Sequence, residues 1–589
     1  MSDGKEVATL AEQGHHVAHN MAEVCDISGK IWQKFVTAQI DKGGSATNPD
    51  PLNAWPTFAE LYRAMWDNPK QVADMTLEYW AAQNALWQQS MLKWLGAKDV
   101  GEPLDLPHMA KPDKRFAHKE WSENAVFDYL KQSYLLTSGF LQDTVGAVGE
   151  MDPKERRKAA FLTRNFVEAM NPANFFALNP EVLEATVEQR GENLVRGLRM
   201  MLEDLDRGKG KLLIRQTDMD AFEVGRNTAV SPGAVVWQND ILQLIQYAPA
   251  TGKVFAKPLL IIPPWINKYY VLDLNPRKSL VKWLVDQGHT VFMISWVNPD
   301  ERHAGQTWES YLFEGAVAAI DKALEETGQK SLHVASYCIG GTLAGTMLAH
   351  MGRTGDKRVA SATFFTAQLD FEDAGELQIF VDDQTLGMLD ADLERGYMPA
   401  DRMASAFNML RANDLIWGYV VSNYMLGKDP FPFDLLYWNA DSTAMPARVH
   451  QFYLEQFYVR NALVKGELEI AGRPAELSDI KTPVYHVATK EDHIAPAHSV
   501  YRGAKEMTRA DVRFVLAGSG HIAGVVNPPV LGKYQFWTNP DMKPPKLEDW
   551  LQGAEETPGS WWPDWDGWLK ARSGRQVAAR APGARLGVI

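Results

Sequence analysis

Between residues 258 and 516 the chain repeats one unit: a short, nearly unbroken apolar run followed by a segment of helical periodicity. Pro258–Ile262 leads to Ser279–Gln287, Thr290–Ser295 to Trp308–Glu326, and Leu332–Ala335 to Ile339–His350, with Ser361–Thr366 as a further run. Strands without a polar face must be covered on both sides, which is the condition of a parallel sheet between two layers of helices. Just ahead, Ala234–Gln238 and Leu242–Tyr247 flank Asn239-Asp240-Ile241 and read as a tight antiparallel hairpin. After the sixth strand the rhythm stops from about 370 to 480, an aromatic-rich stretch carrying Trp417, Tyr419, Tyr437 and Trp438. It resumes with the strand Val484–Ala488, a helix over Pro496–Met507 and the strand Val512–Leu516. The expected fold class is α/β, with a large insertion after the sixth strand.

Upstream, residues 1–200 predict a mainly helical domain. Gln71–Lys98 spaces Trp80, Leu86, Trp87, Met91 and Trp94 by about three and four, and Asn124–Val145 and Glu155–Met170 repeat that signature. Residues 201–570 form the expected catalytic domain. Trp561, Trp562, Trp565 and Trp568 read as core or domain-seam anchors. Beyond Lys570 come Arg572, Arg575, Arg580 and Arg585 without an acid, so 571–589 is expected to be a disordered basic tail.

Composition narrows the function classes. With 46% hydrophobic and 23% charged residues the chain can bury a large core, which excludes a mostly disordered protein. A net charge of −14 argues against a nucleic-acid partner, because phosphate neutralisation needs a basic surface. Cys25 and Cys338 are the two cysteines, too few for a disulfide framework or a thiolate metal site. His15, His16 and His19 include an i, i+4 pair without a specified third ligand, so a solvated helix face is expected there and no metal. Glu6, Glu12, Glu23 and Asp26 interrupt any leader-like apolar run, and no stretch has the ~18 apolar residues of a membrane span. The expectation is a soluble, cytoplasmic protein.

The chemistry concentrates at three strand ends. Ala335-Ser336-Tyr337-Cys338-Ile339-Gly340-Gly341 lies at a strand-to-helix junction. A nucleophile elbow needs a reactive residue on a sharp turn flanked by small residues, so that strand and helix approach closely. Cys338 takes the nucleophile's place, Ser336 and Gly340 flank it, and Gly341 lets the helix start tight against the sheet. The helix N-terminus at Ile339 favours negative charge on the sulfur. Alternatively, Cys338 is a small buried hydrophobe in a glycine-containing turn. Val484–Ala488 runs into Thr489-Lys490-Glu491-Asp492-His493, and Val512–Leu516 into Ala517-Gly518-Ser519-Gly520-His521. Nucleophile, acid and histidine in that order, each after a strand, is the chain order of the α/β-hydrolase triad. Asp492 is the leading acid with Glu491 as the alternative, and His493 reads as a supporting group. Cys25 has no elbow around it and is expected to be inert. An oxyanion hole would use the backbone N–H of Ile339 and one from Trp265 or Ile266, in the loop after the third strand.

These residues resemble one family in particular, the polyhydroxyalkanoate synthases of class I, the poly(3-hydroxybutyrate)-forming type. The resemblance covers about 110–570. It is carried by Met170-Asn171-Pro172-Ala173-Asn174-Phe175, Phe222-Glu223-Val224-Gly225-Arg226-Asn227, Pro263-Pro264 with Ile266-Asn267-Lys268-Tyr269-Tyr270, and Pro432-Phe433-Asp434-Leu435-Leu436 with Trp438-Asn439. It continues through Glu491-Asp492-His493-Ile494, Gly520-His521-Ile522-Ala523-Gly524, Asn527-Pro528-Pro529 and Ser560-Trp561-Trp562-Pro563. Ser336 departs from the family, which most often has Gly there.

The resemblance implies an α/β-hydrolase fold whose 370–480 insertion is a cap that covers the cysteine and contributes to a homodimer. It implies polymerisation of (R)-3-hydroxyacyl-coenzyme A, above all 3-hydroxybutyryl-coenzyme A, into polyester at the surface of intracellular granules. Cys338 is then the acylated nucleophile, His521 its general base and Asp492 the third catalytic residue. No cofactor is implied, since the coenzyme A thioester is the substrate. Two rival readings share many of these residues: a cysteine-dependent thioesterase or lactone hydrolase, and a non-catalytic granule-coating protein.

Overall fold

The computed structural model describes residues 2–41, 52–97, 113–381, 383–583 and 586–588. These fall into two compact units, one of residues 1–218 with 407–431, the other of residues 219–406 with 432–589.

The first unit is mainly helical among its described residues, as its periodicity predicts. Its principal helices are Ser2–Asp41, Ala54–Asp67, Pro69–Trp94, Ala125–Ala147, Pro153–Ala169, Pro180–Glu188 and Glu192–Arg207. Asn124, Asp152 and Asn179 start three of them by accepting backbone N–H groups of the first turn, which would otherwise lack partners. The unit extends further than the expected limit at 200, and it recruits 407–431 from the middle of the insertion. Side chains on both segments explain that recruitment. Asn193 Nδ2 donates to the Met425 carbonyl (2.8 Å), Gln216 Nε2 to that of Leu415 (2.8 Å), and the Tyr424 hydroxyl to Asp204 (2.7 Å). A Cβ on Gly197 would lie 2.0 Å from the Tyr424 carbonyl oxygen, so only glycine allows this approach.

The second unit is built on a sheet of eleven strands. In chain order they are β1 (Gly233–Gln238), β2 (Leu242–Tyr247), β3 (Leu259–Ile262), β4 (Val291–Trp296), β5 (Leu332–Tyr337), β6 (Val359–Phe365), β7 (Val484–Thr489), β8 (Val512–Ala517), β9 (Gln535–Thr538), β10 (Glu555–Pro558) and β11 (Gly587–Val588). Across the sheet the order is β10-β9-β8-β7-β6-β5-β3-β4-β2-β1-β11. Strands β4, β3, β5, β6, β7 and β8 run parallel, and the outer pairs are antiparallel. The β1–β2 hairpin turns on Asn239, whose side chain accepts the N–H groups of Ile241 and Leu242 (3.1 and 3.0 Å).

Burial follows the period of two. Leu260, Ile262, Phe292, Ile294 and Phe364 join one core, while Leu259, Ile261, Val291, Met293 and Phe365 join the core on the opposite face. That arrangement meets the expectation of a parallel sheet covered twice. The helix expected over 308–326 carries a π-helical stretch at Tyr311–Val317 between α-helical ends. Gly315 lies there against the Trp296 ring, where a Cβ would come within 2.8 Å.

The expected disordered tail is corrected by the structure. Gln576–Ala578 pairs antiparallel with Lys253–Phe255, and Gly587–Val588 forms β11 beside β1. The Arg572 guanidinium lies 4.2 Å from the Trp568 ring centre, and Ser573 is buried. Free backbone groups at sheet edges, which composition does not register, hold this segment. Ala584, Arg585 and Ile589 lie outside the described residues.

Candidate active site

Cys338 stands at the turn between β5 and the helix Ile339–Thr354, with φ 53° and ψ −127°. A side-chain-bearing residue enters this left-handed region only under constraint. The constraint is visible on both sides: the Cys338 N–H donates to the Phe365 carbonyl (3.0 Å), and its own carbonyl accepts from Gly341 (2.8 Å). The two glycines are required by close approach. A Cβ on Gly340 would lie 2.5 Å from the Ile262 carbonyl oxygen, and one on Gly341 would lie 2.2 Å from the Ala367 Cβ. Ser336 fits because it is small and satisfied; buried on β5, it donates to the Thr363 carbonyl (3.0 Å).

The loops after β7 and β8 bring the other two residues together. Asp492 Oδ2 is 2.7 Å from His521 Nδ1. Its remaining capacity is taken by the Thr489 hydroxyl (3.0 Å) and the backbone N–H groups of Ile494 and Ala495 (2.9 Å each). Such a carboxylate is fixed in place and fixes the imidazole in turn. Both residues are buried. Burial alone would lower the His521 pKa, but the Asp492 carboxylate and the Cys338 sulfur outweigh it and push it up to about 10. Imidazole and carboxylate are in direct contact, and Cys338 is among the groups that raise the imidazole's pKa.

The open choice of acid is resolved by exposure, since Glu491 points to solvent while Asp492 is buried. His493 is partly buried. Cys25 is exposed on the N-terminal helix, remote in sequence from any such turn. Of the histidine cluster, His16 bonds Glu192 (2.7 Å), and no metal-holding group occurs among the described residues.

The loop after β3 packs directly on the elbow, with Ile262 in register with Ser336. It is pinned by the segment 434–443: Thr443 Oγ1 donates to the Trp265 carbonyl (2.5 Å), Trp438 Nε1 to that of Lys268 (2.7 Å), and the Tyr270 hydroxyl to Asp441 (2.8 Å). Lys278 completes the attachment on Asp434 (2.9 Å). The Thr443 N–H also donates to the Ile266 carbonyl (3.2 Å), so the backbone of both Trp265 and Ile266 is held by this segment. Ile339, as the first residue of its helix, has an N–H without an intrahelical acceptor.

Several contributors escaped the sequence reading. Thr489 holds Asp492, and the Tyr337 ring stacks on His521 (centroids 5.5 Å apart, planes at 24°). Burial, with a smaller contribution from Cys338, raises the pKa values of both Tyr453 and Tyr458. Tyr458 lies in a second π-helical stretch, Leu454–Val459, a feature frequent at functional sites.

Comparison with known proteins agrees with this geometry. The family described as "Poly-beta-hydroxybutyrate polymerase (PhaC) N-terminus" matches residues 112–284, and the α/β hydrolase fold matches 257–528. The poly(3-hydroxyalkanoate) polymerase subunit PhaC of Rhizobium etli is 46% identical over 98% of this chain and 90% of its own. The poly(3-hydroxyalkanoate) polymerase of Methylorubrum extorquens is 50% identical over 85% of this chain and 82% of its own. The PhaC subunit of Cupriavidus necator is 44% identical over 87% of this chain and 85% of its own. No helix among the described residues is long and apolar enough to cross a membrane. With an α/β-hydrolase fold and relatives this similar along most of its length, the chain belongs to the poly(3-hydroxyalkanoate) polymerase family.

Proposed function

We propose that the chain polymerises (R)-3-hydroxyacyl-coenzyme A, above all 3-hydroxybutyryl-coenzyme A, through a thioester on Cys338. The observation that carries this reading is the 2.7 Å contact between His521 and a fully bonded Asp492, with Cys338 on the strained turn after β5. His521 takes the Cys338 thiol proton as the sulfur attacks the thioester carbonyl; a C–S bond to the enzyme forms, the C–S bond to coenzyme A breaks, and the leaving sulfur takes that proton from His521. The acyl group has passed from one thioester to another and stays activated. His521 next takes the proton of a 3-hydroxyl, whose oxygen attacks the acyl carbonyl. An ester C–O bond forms as the C–S bond to Cys338 breaks, the freed Cys338 sulfur takes the proton back from His521, and the chain is one unit longer.

Asp492 holds the proton on Nδ1, so Nε2 is the nitrogen that takes and returns the proton in these transfers. The N–H of Ile339 and that of Trp265 or Ile266 stabilise the oxyanion. The reaction as written consumes the coenzyme A thioester as substrate and needs no metal or redox cofactor. Water must be kept from the acyl-enzyme, and the packed aromatic set of buried Phe371 and Phe457 with partly buried Tyr453 and Tyr458 suits that task. The family resemblance supports two associations, with the polyester granule surface in the cytoplasm and with a second copy of the chain through the 370–480 insertion.

The test is incubation with (R)-3-hydroxybutyryl-coenzyme A. Insoluble polyester and free coenzyme A are expected, and Cys338→Ala should abolish both. Free hydroxy acid without polymer would instead mark a cysteine-dependent hydrolase.

A further inference from the structure

The loop that carries His521 is made of small residues, Gly518, Ser519, Gly520, Ala523 and Gly524, with Ser519 at φ 74°. A segment with so little side-chain packing of its own needs anchors. Three aromatic donors take its carbonyls: the Tyr337 hydroxyl bonds that of His521 (2.9 Å), Trp561 Nε1 that of Gly524 (2.8 Å) and Trp562 Nε1 that of Val525 (2.9 Å). Of the three, Tyr337 also lies face to face with the imidazole, at 5.5 Å and 24°. It is the last residue of β5, adjacent to Cys338, and only 1% exposed.

We infer that Tyr337 is a positioning residue for His521, fixing the backbone through its hydroxyl and the plane and charge of the imidazole through its ring. This rests on the covalent reading above. The hydroxyl sets where the histidine's backbone sits, and the ring sets the rotation that presents Nδ1 to Asp492 and Nε2 to Cys338. A π face over an imidazolium also favours its protonated form. The titratable groups facing His521 are Asp492 from the loop after β7, Cys338 from the elbow and Tyr337 from β5. Burial keeps the Tyr337 phenol neutral, and its ring covers the imidazole face.

The test measures coenzyme A release from (R)-3-hydroxybutyryl-coenzyme A across the pH range for four variants. Tyr337→Phe keeps the ring and deletes one hydrogen bond, so kcat should fall about fivefold at unchanged KM. Tyr337→Leu removes both contacts; kcat should fall about a hundredfold, and the alkaline limb of its pH profile should move to lower pH. Trp561→Phe loses a loop anchor but leaves the imidazole face covered, so thermal stability should fall while that limb stays. A folded Tyr337→Leu enzyme with the wild-type limb and kcat would overturn the inference. Should Tyr337→Leu fail to fold, Tyr337→Phe decides, and an unchanged kcat there overturns it equally. Cys338→Ala separates the two levels: release surviving in that variant would strike the covalent reading itself, whereas its loss beside an unaffected Tyr337→Leu strikes this inference alone.

Discussion

Gly340→Ala isolates the geometry of the elbow with a single methyl group. The added carbon would lie 2.5 Å from the Ile262 carbonyl oxygen, 2.7 Å from that of Pro263 and 2.9 Å from the Pro263 carbonyl carbon. Ordinary contact begins at 3.4 Å, so the shortest of these is about 0.9 Å too close. All three are backbone atoms at the end of β3 and cannot swing aside as a side chain would. Either the helix Ile339–Thr354 or the loop bearing Trp265 must move by most of that distance. Overpacking of this kind costs about 3 kcal/mol, the upper part of the usual range. A displacement approaching 1 Å between nucleophile and oxyanion donors costs about a hundredfold in rate. Gly29→Ala is the matched comparison, since a Cβ there meets nothing within 4 Å on an exposed helix; it should stabilise its helix by about 0.5–1 kcal/mol and leave the rate alone. Urea unfolding and coenzyme A release read the two effects. A Gly340→Ala protein with wild-type midpoint and rate would refute the close-approach argument.

Asp492→Asn should retain the fold and lower the rate of coenzyme A release by about 10²–10⁴-fold, because the amide no longer holds the imidazole in its productive tautomer; a change under tenfold would count against its role. Stability should depend on His521 in a defined direction. Its folded pKa lies at about 10 against 6.5 unperturbed, so its contribution is complete below about 6.5 and is lost as pH rises through about 10. The urea midpoint should fall across that window, and Asp492→Asn should flatten the slope. Ser336→Ala removes the bond to the Thr363 carbonyl and should cost about 1 kcal/mol in unfolding free energy with the rate kept within about twofold. A large rate loss there would mean that the hydroxyl does more than fill a glycine's place.

The sheet and the catalytic chain were legible where local pattern and tertiary fate coincide. Leu259–Ile262 is apolar at every position because both its faces are buried, and Cys338 is flanked by small residues because strand and helix meet there. Edge structure was not legible. Gln535–Thr538 and Glu555–Pro558 are four residues each, and the exposed Glu555 and Glu556 belong to an edge strand that pairs on one side only. The tail strand Gln576–Ala578 is likewise defined by its partner rather than its own residues. The choice between Asp492 and Glu491 depended on which one faces inward, a matter of loop geometry. Residues 407–431 carry an amphipathic pattern that says they need a partner without saying which body supplies it. The π-helical stretches leave no periodic trace distinct from an α-helix, so Tyr458 was invisible as a neighbour of the sulfur.

The most direct measurement is the mass of the acylated protein. The enzyme is mixed with (R)-3-hydroxybutyryl-coenzyme A, quenched in acid within one turnover, digested and mapped. The covalent account predicts a hydroxybutyryl adduct on the peptide containing Cys338 and none in Cys338→Ala. An adduct on another residue, or polymer formed by the Cys338→Ala protein, would contradict it.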